Sequence, residues 1–185
     1  CDGTPRFVPV ELMDVAGLVK GASTGKGLGN KFLDDLRQAD MFIHIVDASG
    51  TTDSEGHEGD GDPIEDVHML ENELDQWYKG ILDRVWDKLS RTIQTNKSNF
   101  AEAIAKQFSG LRVTEDDVKN VISTLKLNVE KPTEWTTEEI SSFTRALRLQ
   151  NKPMIIAANK IDKEGASENI EKLKKEFPNY MIIPC

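Results

Sequence analysis

Short apolar runs that each stop at an Asp or an Asn constrain the fold of this 185-residue chain more than any other feature. Phe7–Met13 (FVPVELM) ends at Asp14, Met41–Val46 (MFIHIV) at Asp47, and Met154–Ala158 (MIIAA) at Asn159. Mostly apolar runs of this length, rich in β-branched residues, read as strands buried on both faces, the pattern of a parallel sheet. Pro9 lacks an N–H and so places the first half of the first run toward an edge. Tyr180–Ile183 begins a fourth strand. Helical patterns lie between the runs. Asn30–Gln38 has Phe32, Leu33 and Leu36 at helical spacing, and Ala166–Phe177 reads as a helix. Strands that alternate with helices imply an α/β fold with a mostly parallel sheet.

About 85 residues of helix interrupt that alternation. Pro63 can open a helix. From Ile64 to Ile93 apolar residues recur at Ile64, Val67, Leu70, Leu74, Trp77, Ile81, Val85, Leu89 and Ile93, one long amphipathic helix with a break expected near Gly80. Three shorter helices are expected over Asn99–Phe108, Thr114–Leu125 and Thr136–Leu149. Thr114 with Asp117 and Thr136 with Glu139 have capping-box spacing. Trp77, Trp86 and Trp135 lie on or beside these helices and read as core or interface anchors. The chain therefore divides into residues 1–62, a helical insertion over 63–150, and residues 151–185, the outer two forming one sheet.

The net charge is −9, and it is concentrated. Ten acids fall between Asp53 and Asp75, and no Lys or Arg occurs between Gln38 and Tyr78. Such a surface repels a polyanion, which argues against whole-surface nucleic-acid binding but leaves room for a local basic face. Arg84, Lys88, Arg91, Lys97 and Lys106 could supply one, although a solvated helix face explains them as well. No stretch approaches the roughly 18–20 apolar residues of a membrane span. CDGTPRFVPV lacks the basic-then-apolar pattern of a secretory signal. Cys1 and Cys185 form neither a disulfide framework nor a zinc cluster, so a reducing, cytoplasmic setting is expected.

Two strand ends carry chemistry. Asp14-Val15-Ala16-Gly17 follows the first apolar run, where open α/β sheets bind ligands. An Asp so placed in a phosphate-binding fold holds Mg²⁺, commonly through water, and the Gly lets a backbone N–H approach a terminal phosphate. Asn159-Lys160-Ile161-Asp162 follows the third run. A carboxylate accepts two hydrogen bonds from the N1–H and N2–H₂ edge of guanine, a donor pair adenine lacks. The Lys stem can lie over the base, and the Asn can tie neighbouring loops together. Either motif alone is an ordinary strand-to-loop turn. Both, in this order and each after a strand, specify a guanine nucleotide with Mg²⁺.

Other candidates fail on spacing. Gly21 to Gly27 (GASTGKG) has three residues between its first two glycines and no hydroxyl after Lys26, so it is not a phosphate loop. The acids at 53–62 lack EF-hand spacing, and a solvated acidic loop explains them better. His44 lies within an apolar strand and reads as a packing residue. His57 and His68 have no partners at zinc spacing. Five glycines between Gly17 and Gly29 exclude regular structure there and imply a mobile loop.

The run Asp14–Arg37, DVAGLVKGASTGKGLGNKFLDDLR, resembles the third G motif and switch II of Obg-related GTPases, in particular the archaeal and eukaryotic members of the YchF branch. That branch carries a helical insertion between its third and fourth G motifs, and the acidic segment before Pro63-Ile-Glu-Asp is also similar. The resemblance implies a partial P-loop GTPase sheet with an all-helical insertion. It assigns nucleotide binding to Asp14, Val15, Ala16, Gly17, Asn159, Lys160 and Asp162. Asp14 would contact Mg²⁺, and Gly17 would sense the γ-phosphate. Leu18 occupies the place of the water-orienting Gln of Ras-like GTPases, so hydrolysis of GTP to GDP should be slow. Bacterial-type relatives depart from NKxD and can favour ATP; NKID here favours GTP. A ribosome or RNA partner is implied by the family alone.

The sequence also departs from the family pattern. It contains no phosphate loop, which the family places upstream of Asp14, and it ends at Ile183-Pro-Cys185, where a Ser-Ala fifth motif should begin. The family's TGS domain is absent. These departures imply an internal fragment of a larger GTPase, expected by itself neither to bind GTP tightly nor to hydrolyse it. The competing expectation is a non-enzymatic helical interaction module that does not use nucleotide.

Overall fold

A computed structural model describes residues 9–15, 36–53 and 57–185. Three strands form the sheet, β1 (Phe42–Asp47), β2 (Met154–Asn159) and β3 (Met181–Pro184), all parallel and in that order. The register pairs Phe42 with Met154 and continues to Asp47 beside Asn159; Ile155 pairs with Met181. The two strand-ending polar residues read from the sequence are thus brought side by side.

Six helices accompany the sheet among the described residues: α1 (Pro63–Asp83), α2 (Trp86–Asn96), α3 (Phe100–Gln107), α4 (Glu115–Leu125), α5 (Thr137–Asn151) and α6 (Ala166–Glu176). Their starts follow local chemistry. Asp62 caps α1 by accepting from the Ile64 N–H, with Pro63 at the first helical position. Asn99 caps α3, and Thr114–Asp117 and Thr136–Glu139 form reciprocal capping boxes on α4 and α5. The long helix expected over Ile64–Ile93 is divided, but at Arg84–Val85 and not at Gly80, which sits inside α1. The displaced break lets Trp86 leave the α1 axis and pack with Trp135 and Phe100, which in turn pack on Phe143. Tertiary packing overrides the lower helix propensity of glycine here.

The core runs from the sheet, beneath α1 and α6, on through α5 into the shorter helices α2–α4. Phe42, Val46, Met154, Ile156 and Ala158 are buried on that side. On the opposite side Ile43, Ile45, Met181 and Ile183 are exposed, so the strands are covered on one face only among the described residues. This corrects the expectation of strands buried on both faces. The strand expected over Phe7–Met13 is a second correction as far as residues 9–13 go; Phe7 and Val8 lie outside the described residues. Residues 9–15 have no regular structure, and Val10, Leu12 and Met13 are exposed. A strand persists only where a neighbour takes up its backbone hydrogen bonds, and this segment joins no ladder to β1–β3. The expected Gly17–Gly29 loop and most of the Asn30–Gln38 helix lie outside the described residues. No described helix is long and apolar enough to cross a membrane.

Candidate nucleotide-binding site

Asn159, Lys160 and Asp162 occupy the turn that leaves β2 for α6. Asn159 accepts the Lys160 N–H on its Oδ1 at 2.8 Å, and Lys160 takes a left-handed backbone, φ 61°. That conformation is unfavourable for a residue with a Cβ, so the turn is held by its surroundings. The surroundings are visible. Lys163 N–H donates to the Lys160 carbonyl at 3.1 Å, and Ile161 N–H donates to the Cys185 carbonyl at 3.3 Å. Cys185 N–H in turn donates to the Ala158 carbonyl at 2.8 Å. From α6, Asn169 Nδ2 donates to the Ala48 carbonyl at 2.9 Å and ties the helix to the loop after β1. The ends of all three strands and the start of α6 therefore frame one loop. Asp162 projects from it as an exposed carboxylate.

The Lys160 side chain is anchored. Its Nζ donates to Asp47 Oδ2 at 2.9 Å and to Thr52 Oγ1 at 2.6 Å. Asp47 also accepts from Ser49 N–H at 2.9 Å, Ser49 Oγ at 2.6 Å and the Thr52 hydroxyl. Burial pushes the Asp47 carboxyl up, but hydrogen bonds from Ser49, Thr52 and Lys160 outweigh it and hold the pKa well below the usual carboxylate range.

The loop after β1 is built to reach this point. Gly50 N–H donates to the Asp47 carbonyl, and Gly59 and Gly61 N–H donate back to the Thr51 and Gly50 carbonyls. A Cβ on Gly61 would stand 1.9 Å from the Thr52 carbonyl oxygen, so only glycine permits this close return. A cleft of about 460 Å³ opens between Gly50–Thr51, Glu58–Asp60 and Lys160 with Lys163.

The structure assembles one of the two expected motifs. Asp14 lies on the exposed 9–15 stretch, Val15 is half-buried against the core, and Ala16 and Gly17 lie outside the described residues. No hydrogen bond links Asp14 to the 159–162 loop. The donor set fits Mg²⁺. That ion is held by one or two carboxylates plus phosphate oxygens and water, not by an all-protein cage. Asp14 offers one accessible carboxylate of that kind. Sequence reasoning missed Asp47 and Thr52. The signal was present in the matched ends of two apolar runs, which a parallel register would set side by side.

The family described as 50S ribosome-binding GTPase matches residues 4–88. A GTP-binding protein of Methanocaldococcus jannaschii is 53% identical over 97% of this chain. The chain belongs to the Obg-related, YchF-type GTP-binding family. A crystal structure of a GTP-binding protein from Pyrococcus horikoshii OT3 superposes with a TM-score of 0.76, at 44% identity over 83% of this chain and 45% of that one. The ribosome-binding ATPase YchF of Bacillus subtilis is 30% identical over 89% of this chain and 43% of its own length. This chain spans about half the length of the curated relatives it matches, 45% of the Methanocaldococcus protein.

Proposed function

We propose that this chain supplies the guanine-reading part, and with Asp14 the Mg²⁺ contact, of a slow GTP hydrolase that works as a nucleotide-dependent switch. The observation that carries the reading is the 159–162 loop. Its Asp162 carboxylate is exposed while the neighbouring lysine is anchored elsewhere, on Asp47 and Thr52. An unencumbered carboxylate at a strand's C-terminal end suits the paired N–H donors of guanine. Mg²⁺, when bound, would offset phosphate charge. The chain's own residues bind and orient. Asp162 selects the base, Asn159 fixes the loop, and Asp14 offers one carboxylate to the ion. Leu18 brings no group to orient water, which supports slow turnover. Residues 63–150 then stand between the two halves of the nucleotide-binding unit as the surface on which a partner reads its state. The family description and the Bacillus relative's name support a ribosomal partner.

Relatives named as ATPases make base choice the point to test. Fluorescent GDP is titrated with Mg²⁺ against the full-length gene product carrying this sequence, with GDP and ADP as competitors, beside Asp162→Ala. A site that pairs with a base's donors should favour GDP by roughly 10²-fold or more, and the variant should lose the preference. Equal competition by ADP would overturn the assignment. Binding of neither nucleotide would favour the helical interaction module.

A further inference from the structure

Asp47 belongs to neither expected motif, yet four side-chain or backbone donors from Ser49, Thr52 and Lys160 converge on its carboxylate. The Asp47–Asn159 register places it beside the base-reading loop. We propose that Asp47, with Thr52, is a positioning residue for nucleoside recognition, fixing the Lys160 ammonium so that its methylene stem forms a rigid floor for the base. The proposal rests on the guanine-binding reading and deepens it.

The physical case starts from lysine. Its side chain carries about 2 kcal/mol of rotamer entropy, and a lysine that must order on binding charges that cost to the ligand. Here the cost is met in advance. Nζ has two oxygen partners, one of them ionised, and charge-assisted bonds of this kind are roughly twice as strong as neutral ones. The Asp47 side chain is largely sheltered, 11% exposed, against 39% for Lys160. The lysine therefore keeps its flank open while its tip is tied down. Engagement with Asp47 also keeps the ammonium away from Asp162, two residues on, so the guanine-reading carboxylate is not quenched from within. Thr52 links the arrangement to the acidic 48–62 loop. Its hydroxyl donates to Asp47 while accepting from Lys160, and an isolated bridge to Glu58 holds its backbone.

The test uses the full-length gene product with GDP and IDP, which lacks the 2-amino group that Asp162 reads. Asp47→Asn keeps the shape and removes the charge. It should weaken both nucleotides about tenfold, chiefly through faster release, and leave the GDP/IDP ratio unchanged. In a Lys160→Ala background the same change should add less than twofold, because its target is gone. Asp162→Ala should instead collapse the ratio. Thr52→Val, which removes one Lys160 acceptor and leaves the Asp47 charge, should weaken both nucleotides about threefold. Should Asp47→Asn lower the thermal midpoint by enough to obscure binding, Thr52→Val carries the test. An unchanged affinity in a folded Asp47→Asn or Thr52→Val protein, or full additivity with Lys160→Ala, overturns the positioning role while the guanine reading stands. A wild-type protein that binds neither nucleotide overturns both.

Discussion

His44 faces the covered side of β1 between buried Phe42 and Val46, and its Nδ1 is buried with no hydrogen-bond partner. Burial lowers its pKa from 6.5 to about 4. The unfolded chain takes up a proton near pH 6.5 while the folded chain resists until about pH 4. Stability is therefore present in full above 6.5 and drains away as pH falls between those values. The shift corresponds to about 3 kcal/mol at the acid end of the window. Urea titrations of wild type and His44→Leu at pH 7.5 and pH 4.5 should show the gap between the two proteins moving in favour of the variant by a substantial part of that amount. A gap independent of pH would contradict a buried neutral imidazole. At the same scale, the reading of His44 as a packing residue was legible from its apolar neighbours. The contacts of Lys160 with Asp47 and Thr52 needed more, because they depend on the register that sets the ends of two distant runs side by side.

Local chemistry specified element starts better than element partners. Asp62-Pro63, Asn99, Thr114 and Thr136 each carry their helix's start signal within four residues, and all four helices begin there. The break at Arg84–Val85 carries no such signal; the aromatic cluster around Trp86 sets it. Residues 9–13 show the converse, because an apolar run specifies a strand only where a ladder partner exists. Partner choice among helices is also set by a buried charge cluster invisible to periodicity. Arg148 on α5 is wholly buried and donates to Asp75 on α1 from Nε at 2.9 Å and Nη2 at 2.8 Å. Glu71 stands 3.5 Å from Nη2 and accepts the Tyr180 hydroxyl just before β3. Burial opposes the guanidinium charge, but Asp75 and Tyr180 outweigh it and raise its pKa. Removing one member of such a cluster strands the others. Arg148→Met should therefore cost about 3–5 kcal/mol in urea denaturation, far more than Lys119→Ala, which removes only exposed ion pairs. A loss below 1 kcal/mol at Arg148 would show that the carboxylates relax to water.

For the whole molecule, this cluster joins the helical span to the sheet, since α1 and α5 meet the turn that enters β3. Just past the strand that follows, Cys185 hydrogen-bonds Ala158 and Ile161, beside the 159–162 loop. Helices and the 159–162 loop thus share one contiguous framework, through which the proposed switch would be sensed by a partner on the helices. The α/β class, the parallel sheet and the NKID loop were legible because each rests on contiguous residues. The one-sided cover of the sheet was not, because it depends on how segments distant in sequence meet. The central claim is that Asp162 reads guanine through its paired acceptors. It is tested most directly by measuring the affinities of GDP and XDP for the full-length gene product and its Asp162→Asn variant. Xanthine carries an oxygen where guanine carries the 2-amino group, so an Asn amide should match it as the carboxylate matches guanine. The account predicts that Asp162→Asn weakens GDP by 10²-fold or more and strengthens XDP so that preference inverts. Unchanged preference for GDP in the variant would contradict it.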